Sequence, residues 1–199
     1  MSPRTPEQLE ELRQQRRSDI MEAAIQLFAH RGFEATSISQ IAQKAGISKG
    51  LIYNYFDGKE ALLDELIIDS IQKLSYLFEE REITEETAPR ILKEFLEDIK
   101  QSVQAEPEYW RLYMQMGVQL IDRTEQLEKR FADELHQYNK NIVALLRHFQ
   151  PEASIQTSVA MFNAMLDGIA LHQLMNPHFP TDDIYERFYQ QITGSTIEE

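Results

Sequence analysis

Cysteine is absent from the 199 residues, which excludes disulfides, thiolate metal sites and cysteine nucleophiles. No apolar run approaches the ~18 residues that a membrane-spanning helix needs. The opening stretch MSPRTPEQLEELRQQRR lacks the apolar segment of a secretory leader. The expectation is a cytoplasmic protein with no membrane partner. Period-two alternation flanked by hairpin turn residues is also missing, so strands are not expected. There is no G-x-S-x-G, no phosphate-cradling glycine-rich loop and no H-E-x-x-H. The five histidines form no i,i+4 pair with one another, and carboxylates such as Glu94, Glu97 and Asp98 read as surface charge. Nothing here asks for an enzyme, a cofactor or a metal.

Positive charge is scarce overall, the net being −13, which by itself argues against a nucleic-acid partner. The deficit is not spread evenly. Residues 1–60 hold eight Lys/Arg against eight Asp/Glu, so the whole excess of acid lies in 61–199. Two parts with different electrostatic tasks are implied. Within 41–59, Lys44, Lys49 and Lys59 face only Asp57. This local basic character is small, so DNA affinity would need a dimer.

What is present is helical periodicity. A first helix is expected over Arg16–His30, with Ile20, Ala23, Ala24, Leu27 and Phe28 on one face and Gly32 as its stop. SISQ at 37–40 is a capping box that opens a second helix, and DGKE at 57–60 repeats the device before a long fourth one. Pro89, Pro107 and Pro151 sit where first helical turns tolerate proline. Further helices are expected at about 89–105, 107–120, 124–149, 152–175 and 181–193. The fold class is all-α, with about nine helices.

Residues 38–56, ISQIAQKAGISKGLIYNYF, fit neither one helix nor a strand. They fit two short helices crossing steeply through a tight turn. Ala42 is small enough for the crossing, and Gly46 suits a turn with φ > 0. Ile41, Ala45, Ile47, Ile52 and Tyr55 point inward, Ser48 caps the second helix, and Ile47 and Ile52 form a staple across its start. The outward set is then Ser48, Lys49, Gly50, Tyr53 and Asn54, types that contact phosphates and base edges. A plain core hairpin would not leave Lys49, Tyr53 and Asn54 together on the solvent face of so short a helix.

The stretch from Gly32 to Leu63 resembles the N-terminal helix-turn-helix domain of TetR-family transcriptional regulators. The likeness rests on Gly32, Phe33, Thr36, Ile41, Ala42, Ala45, Gly46, Ser48, Lys49, Gly50, Tyr53, Phe56, Lys59 and Glu60, and covers about residues 15–65 at motif level. It implies an N-terminal arm (1–15), a three-helix helix-turn-helix DNA-binding domain (16–60) and a C-terminal helical ligand-binding and dimerisation domain (61–199). By the resemblance, Thr36, Ser48, Lys49, Tyr53 and Lys59 hold phosphates of a double-stranded DNA operator, with Ser37 in the same set. Gly50, Leu51 and Asn54 lie nearest the bases. The arm, with Arg4, Arg13, Arg16 and Arg17, is a candidate for a minor groove.

The resemblance also implies a homodimer formed through the last two long helices. The apolar faces there are Val159, Phe162, Leu166, Ile169 and Leu174, then Ile184 and Phe188. Ala160, Ala164, Gly168 and Ala170 would permit close approach. A small-molecule effector is expected among the middle helices, where EYWRLYMQM at 108–116 supplies Tyr109, Trp110, Tyr113, Met114 and Met116. Phe95, Ile99, Phe131, Leu135, Tyr138, Met161 and Met165 are expected opposite, although each is also a plausible core residue. Asp167, inside MLDGIAL, reads either as a hydrogen bonder on the dimer face or as a ligand contact. The function expected is a repressor released from a near-palindromic operator by a largely apolar or aromatic effector. A DNA-binding activator, or a helix-turn-helix used for protein contacts, is the alternative.

Overall fold

The computed structural model describes residues 5–76, 78, 81–119 and 129–194, with the side chains of 116–119 excepted. Among the described residues there are nine α-helices and no strand. The chain divides into two compact units, 1–69 and 70–199.

In the first unit, α1 spans Pro6–Arg31, starting well before the expected Arg16. The cause is a second capping box: Thr5 accepts from the Gln8 backbone N–H, and Gln8 Oε1 accepts from the Thr5 N–H at 3.1 Å, with Pro6 at the first helical position. The stretch expected as an arm is therefore an exposed helical extension from Pro6 onward. Arg4 lies outside the described residues. Arg16 pairs with Asp19 at 3.3 Å, while Arg17 pairs with Glu65 and lies 5.4 Å from the centre of the Phe56 ring. Two of the arginines offered to a minor groove are thus held within the unit.

The expected stripe of α1 is buried, and Gly32 ends the helix at φ 81°. α2 (Ile38–Lys44) opens on the Ser37–Gln40 capping box, and α3 (Lys49–Ile52) opens on Ser48, whose side chain accepts from the Leu51 N–H. Between them Gly46 has φ 67°, the positive value that the turn demands and that L side chains avoid. Ala42, Ile41 and Ile52 are buried at the crossing, and the Phe28 and Phe33 rings meet edge-on at 5.3 Å. α4 runs Lys59–Tyr76. Gly58, not Asp57, precedes its first residue, so the helix starts later than the box expected at 57–60.

The second unit takes the last turns of α4, then α5 (Ala88–Ala105), α6 (Pro107–Gln119), α7 (Ala132–Leu146), α8 (Ile155–Met175) and α9 (Thr181–Thr193). Pro89 and Pro107 stand in first turns as expected. Of the helix expected at 124–149, residues 120–128 lie outside the described residues and the rest is α7 followed by a turn. A 3-10 turn at Glu152–Ser154 precedes α8.

α8 packs against α5, α6, α7 and α9, and this corrects the expected dimer face. Val159, Phe162, Leu166, Ile169 and Phe188 are buried in the protomer's own core, with Leu174 and Ile184 packed at its edge. The Phe162 ring lies 6.0 Å from Phe95 and 5.4 Å from Phe188. Four neighbouring helices take the bulky side of α8. The side left outside carries Ala160, Met161, Ala164, Leu171 and Met175, with Gly168 half-buried.

Candidate functional site

Two places collect the residues singled out by the sequence. The first is the surface of α3 and the turn after it. Ile52 is fully buried, and this single anchor orients the four-residue helix so that Ser48, Lys49, Gly50, Tyr53 and Asn54 are all exposed, Leu51 being half-buried. Tyr53 is 50% exposed, which is high for an aromatic side chain without a partner surface. A Cβ placed on Gly50 would meet nothing within 4 Å. The protein's interior therefore gives no reason for a glycine there, although glycine weakens a helix by roughly 1 kcal/mol relative to alanine.

Ser37 and Ser48 are exposed, but both hydroxyls already serve as helix caps. Thr36 departs from the expectation. It is 2% exposed, and its hydroxyl donates to the Gly32 carbonyl at 2.8 Å, so it fastens the corner between α1 and α2 instead of facing solvent. Lys59 is half-buried. Its ammonium donates to the Phe33 carbonyl at 2.8 Å and sits 4.2 Å from the centre of the Phe33 ring. Lys44, exposed at the end of α2, is a cation on this unit that the site set above leaves out. Its signal was the local charge balance over 41–59.

The second place is a cavity of about 470 Å³ inside the second unit. α4 supplies Ile71, Lys73 and Leu74, α5 supplies Asp98, Ile99 and Ser102, and Glu106 closes the corner before α6. Tyr109, Trp110 and Tyr113 come from α6, Leu135, Tyr138 and Asn139 from α7, and Asn163, Leu166 and Asp167 from α8. Of the expected pocket residues, Ile99, Tyr109, Trp110, Tyr113, Leu135 and Tyr138 are brought together here. Phe95 belongs to the core, Met114 and Met165 pack against it, and Phe131 is buried away from the lining. Met161 is 54% exposed on the far side of α8. The side chain of Met116 lies outside the described residues.

The sequence reading missed the polar lining, and it took Asp98 for surface charge. The signal for Asp167 was its place inside an apolar run. Tyr113 Oη donates to Asp167 at 3.2 Å, Tyr138 Oη to Asn163 at 3.2 Å, and Trp110 Nε1 to Ser102 at 3.0 Å. Burial pushes the Asp167 carboxyl above the usual range, partly offset by the Tyr113 hydrogen bond. Burial likewise raises Asp98, opposed by Arg81. The Tyr113 and Tyr138 hydroxyls are pushed up, first by burial and then by the Asp167 charge, so both stay protonated donors at ordinary pH. Lys73 lies 3.8 Å from Glu106 and 5.2 Å from the centre of the Tyr109 ring.

The model of bacterial regulatory proteins of the tetR family matches residues 20–66, and that of the BetI-type transcriptional repressor C-terminal region matches 88–193. The HTH-type transcriptional repressor KstR2 of Mycobacterium tuberculosis is 34% identical over 133 residues, 61% of this chain and 66% of that protein. Across the KstR2 relatives the matched part spans 26% to 66% of their own length. The fatty acid degradation regulator FadR of Bacillus halodurans has the same fold, with a TM-score of 0.73 over the whole of both chains at 18% identity. FadR of Bacillus subtilis, solved in complex with stearoyl-CoA, has a TM-score of 0.66 at 17% identity, covering 90% of this chain and 98% of that one.

Proposed function

This chain belongs to the TetR family of bacterial regulatory proteins, and from that premise we propose that it is a cytoplasmic DNA-binding repressor under small-molecule control. Residues 16–60 read a double-stranded operator, and residues 61–199 pair two protomers and hold the effector. The observation that carries the reading is the joint exposure of Lys49, Gly50, Tyr53 and Asn54 around the buried Ile52. Lys49 and Tyr53 meet phosphates, while Gly50 lets the backbone approach the bases. Asn54 is an amide able to pair with adenine, worth about 1–3 kcal/mol of discrimination. The repressor sign is supported by the KstR2 repressors and the BetI-type repressor match.

Pairing fits the outer side of α8. Met161, Ala164, Gly168, Leu171 and Met175 recur at alternating three- and four-residue steps, the spacing of a helix–helix seam. A second copy is the occupant that the family premise supplies, and two-fold pairing sets a near-palindromic operator.

α4 gives the route of control. It follows the reading turn directly at its start, and near its end Ile71, Lys73 and Leu74 wall the cavity. A largely apolar or aromatic effector that displaces those turns shifts α4, and the two reading heads lose the one-turn spacing of ~34 Å between successive major grooves. Titration of DNA at several salt concentrations tests the reading. Phosphate binding gives a steep salt dependence, and removing the ammonium of one phosphate-bound lysine by Lys49→Ala flattens the log–log slope by about one unit. Salt-independent binding would instead favour a protein-contact module.

A further inference from the structure

The charges on the cavity wall are lopsided. Asp98, Glu106 and Asp167 are acceptor-only when ionised, and Lys73 is the one cationic side chain among the described lining residues. Lys73 is already directed at Glu106. Asp167 has the neutral Tyr113 hydroxyl as its hydrogen-bond partner, and no cation stands within ion-pair distance of it among the described residues.

The remaining donors are turned away from a guest. The hydroxyl protons of Tyr113 and Tyr138 go to Asp167 and Asn163, and the indole N–H of Trp110 goes to Ser102. The wall thus presents aromatic faces and carboxylate oxygens, an arrangement that attracts positive charge twice over, through ring quadrupoles and through Coulomb attraction. The cavity shows this mode with its own residues, since the Lys73 ammonium lies over the Tyr109 ring next to Glu106.

We propose that the effector of this cavity is an organic cation, an alkyl- or arylammonium whose charge rests against Asp167 and whose body lies on the rings of Tyr109, Trp110, Tyr113 and Tyr138. This rests on the effector reading given above and narrows its chemistry. A carboxylate or phosphate-bearing guest meets repulsion from three acidic side chains, and a neutral hydrocarbon leaves the Asp167 charge uncompensated in a partly dry wall, which costs free energy. The volume of about 470 Å³ is within the roughly 300–1,000 Å³ of small-molecule sites.

The sole tryptophan, Trp110, lines the cavity and is 4% exposed, so its emission reports occupancy directly. Three probes of similar size are titrated against the full chain: benzyltrimethylammonium, its uncharged isostere neopentylbenzene, and 3-phenylpropionate. The cation is expected to bind about tenfold or more tighter than the isostere, the size of a partly desolvated cation–π and charge contact, with the anion weakest. Asp167→Asn is expected to remove most of that preference while neopentylbenzene binds as before, which also reports that the variant is folded. Equal or tighter binding of the isostere or the anion overturns the proposal and leaves the effector site standing. Failure of all three to alter Trp110 emission overturns both the proposal and the effector reading. The ratio in the unaltered protein decides even where a variant fails to fold.

Discussion

Lys59 donates to the Phe33 carbonyl at 2.8 Å while its ammonium lies 4.2 Å from the centre of the same residue's ring. The side chain expected to reach a phosphate thus ties the start of α4 to the corner after α1. A charged hydrogen bond with a cation–π contact is worth about 1–3 kcal/mol. Lys59→Met is therefore expected to lower the urea midpoint of the protein by that order. An unchanged midpoint with weakened DNA binding would return Lys59 to a purely external role.

Gly50 separates fold from function. Its Cβ would meet nothing within 4 Å, and its φ is not among the positive ones, so Gly50→Ala is expected to hold or raise stability by up to about 1 kcal/mol. DNA affinity is expected to fall about tenfold or more, because the methyl group occupies the approach of the bases. Thermal unfolding and fluorescence anisotropy on one preparation read both effects. Unimpaired DNA binding would remove Gly50 from the interface.

The two sides of α8 make opposite predictions. Phe162 is core, so Phe162→Ala should destabilise by about 3–5 kcal/mol. Leu171 is exposed on the outer side, so Leu171→Glu should leave the protomer folded and shift sedimentation from dimer to monomer. A Leu171→Glu dimer would place the interface elsewhere.

Asp167 carries a pH dependence. Burial raises its carboxyl in the folded state above the unfolded value of about 3.9. The folded chain therefore binds more protons between those two values, and stability falls as pH rises through that window. Tyr113 from α6 and Tyr138 from α7, the groups facing it, stay protonated there. Asp167→Asn keeps an acceptor for Tyr113, so the variant should melt higher than the unaltered protein at pH 7 and match it below about pH 4. Equal melting temperatures at every pH would mean that the carboxylate bears no burial cost.

The reading unit was legible because its constraints are local. Ala42 at a crossing, Gly46 in a turn and Ser37 and Ser48 at caps each act within a few residues, and each is found in place. The early start of α1 was equally local, encoded in TPEQ, but went unread because no apolar stripe follows until Ile20. The orientation of α8 was not local. Both of its sides are apolar, and only the presence of α5, α6, α7 and α9 decides that Val159, Phe162 and Leu166 go inward and Met161 outward. The cavity failed for the same reason in part. Methionines suggested an adaptable lining, whereas the wall is aromatic and carboxylate, assembled from five helices and the Glu106 corner.

The central claim is that α3 reads DNA. Its most direct test is selection of bound fragments from the source genome at about 100 mM salt, a range in which phosphate contacts still hold. The Lys49→Ala, Tyr53→Ala double variant is run in parallel. The account predicts an enriched near-palindrome with the unaltered protein and none with the variant. Enrichment that survives the double substitution, or no enrichment at any salt from protein unfolded and refolded free of small molecules, would contradict it.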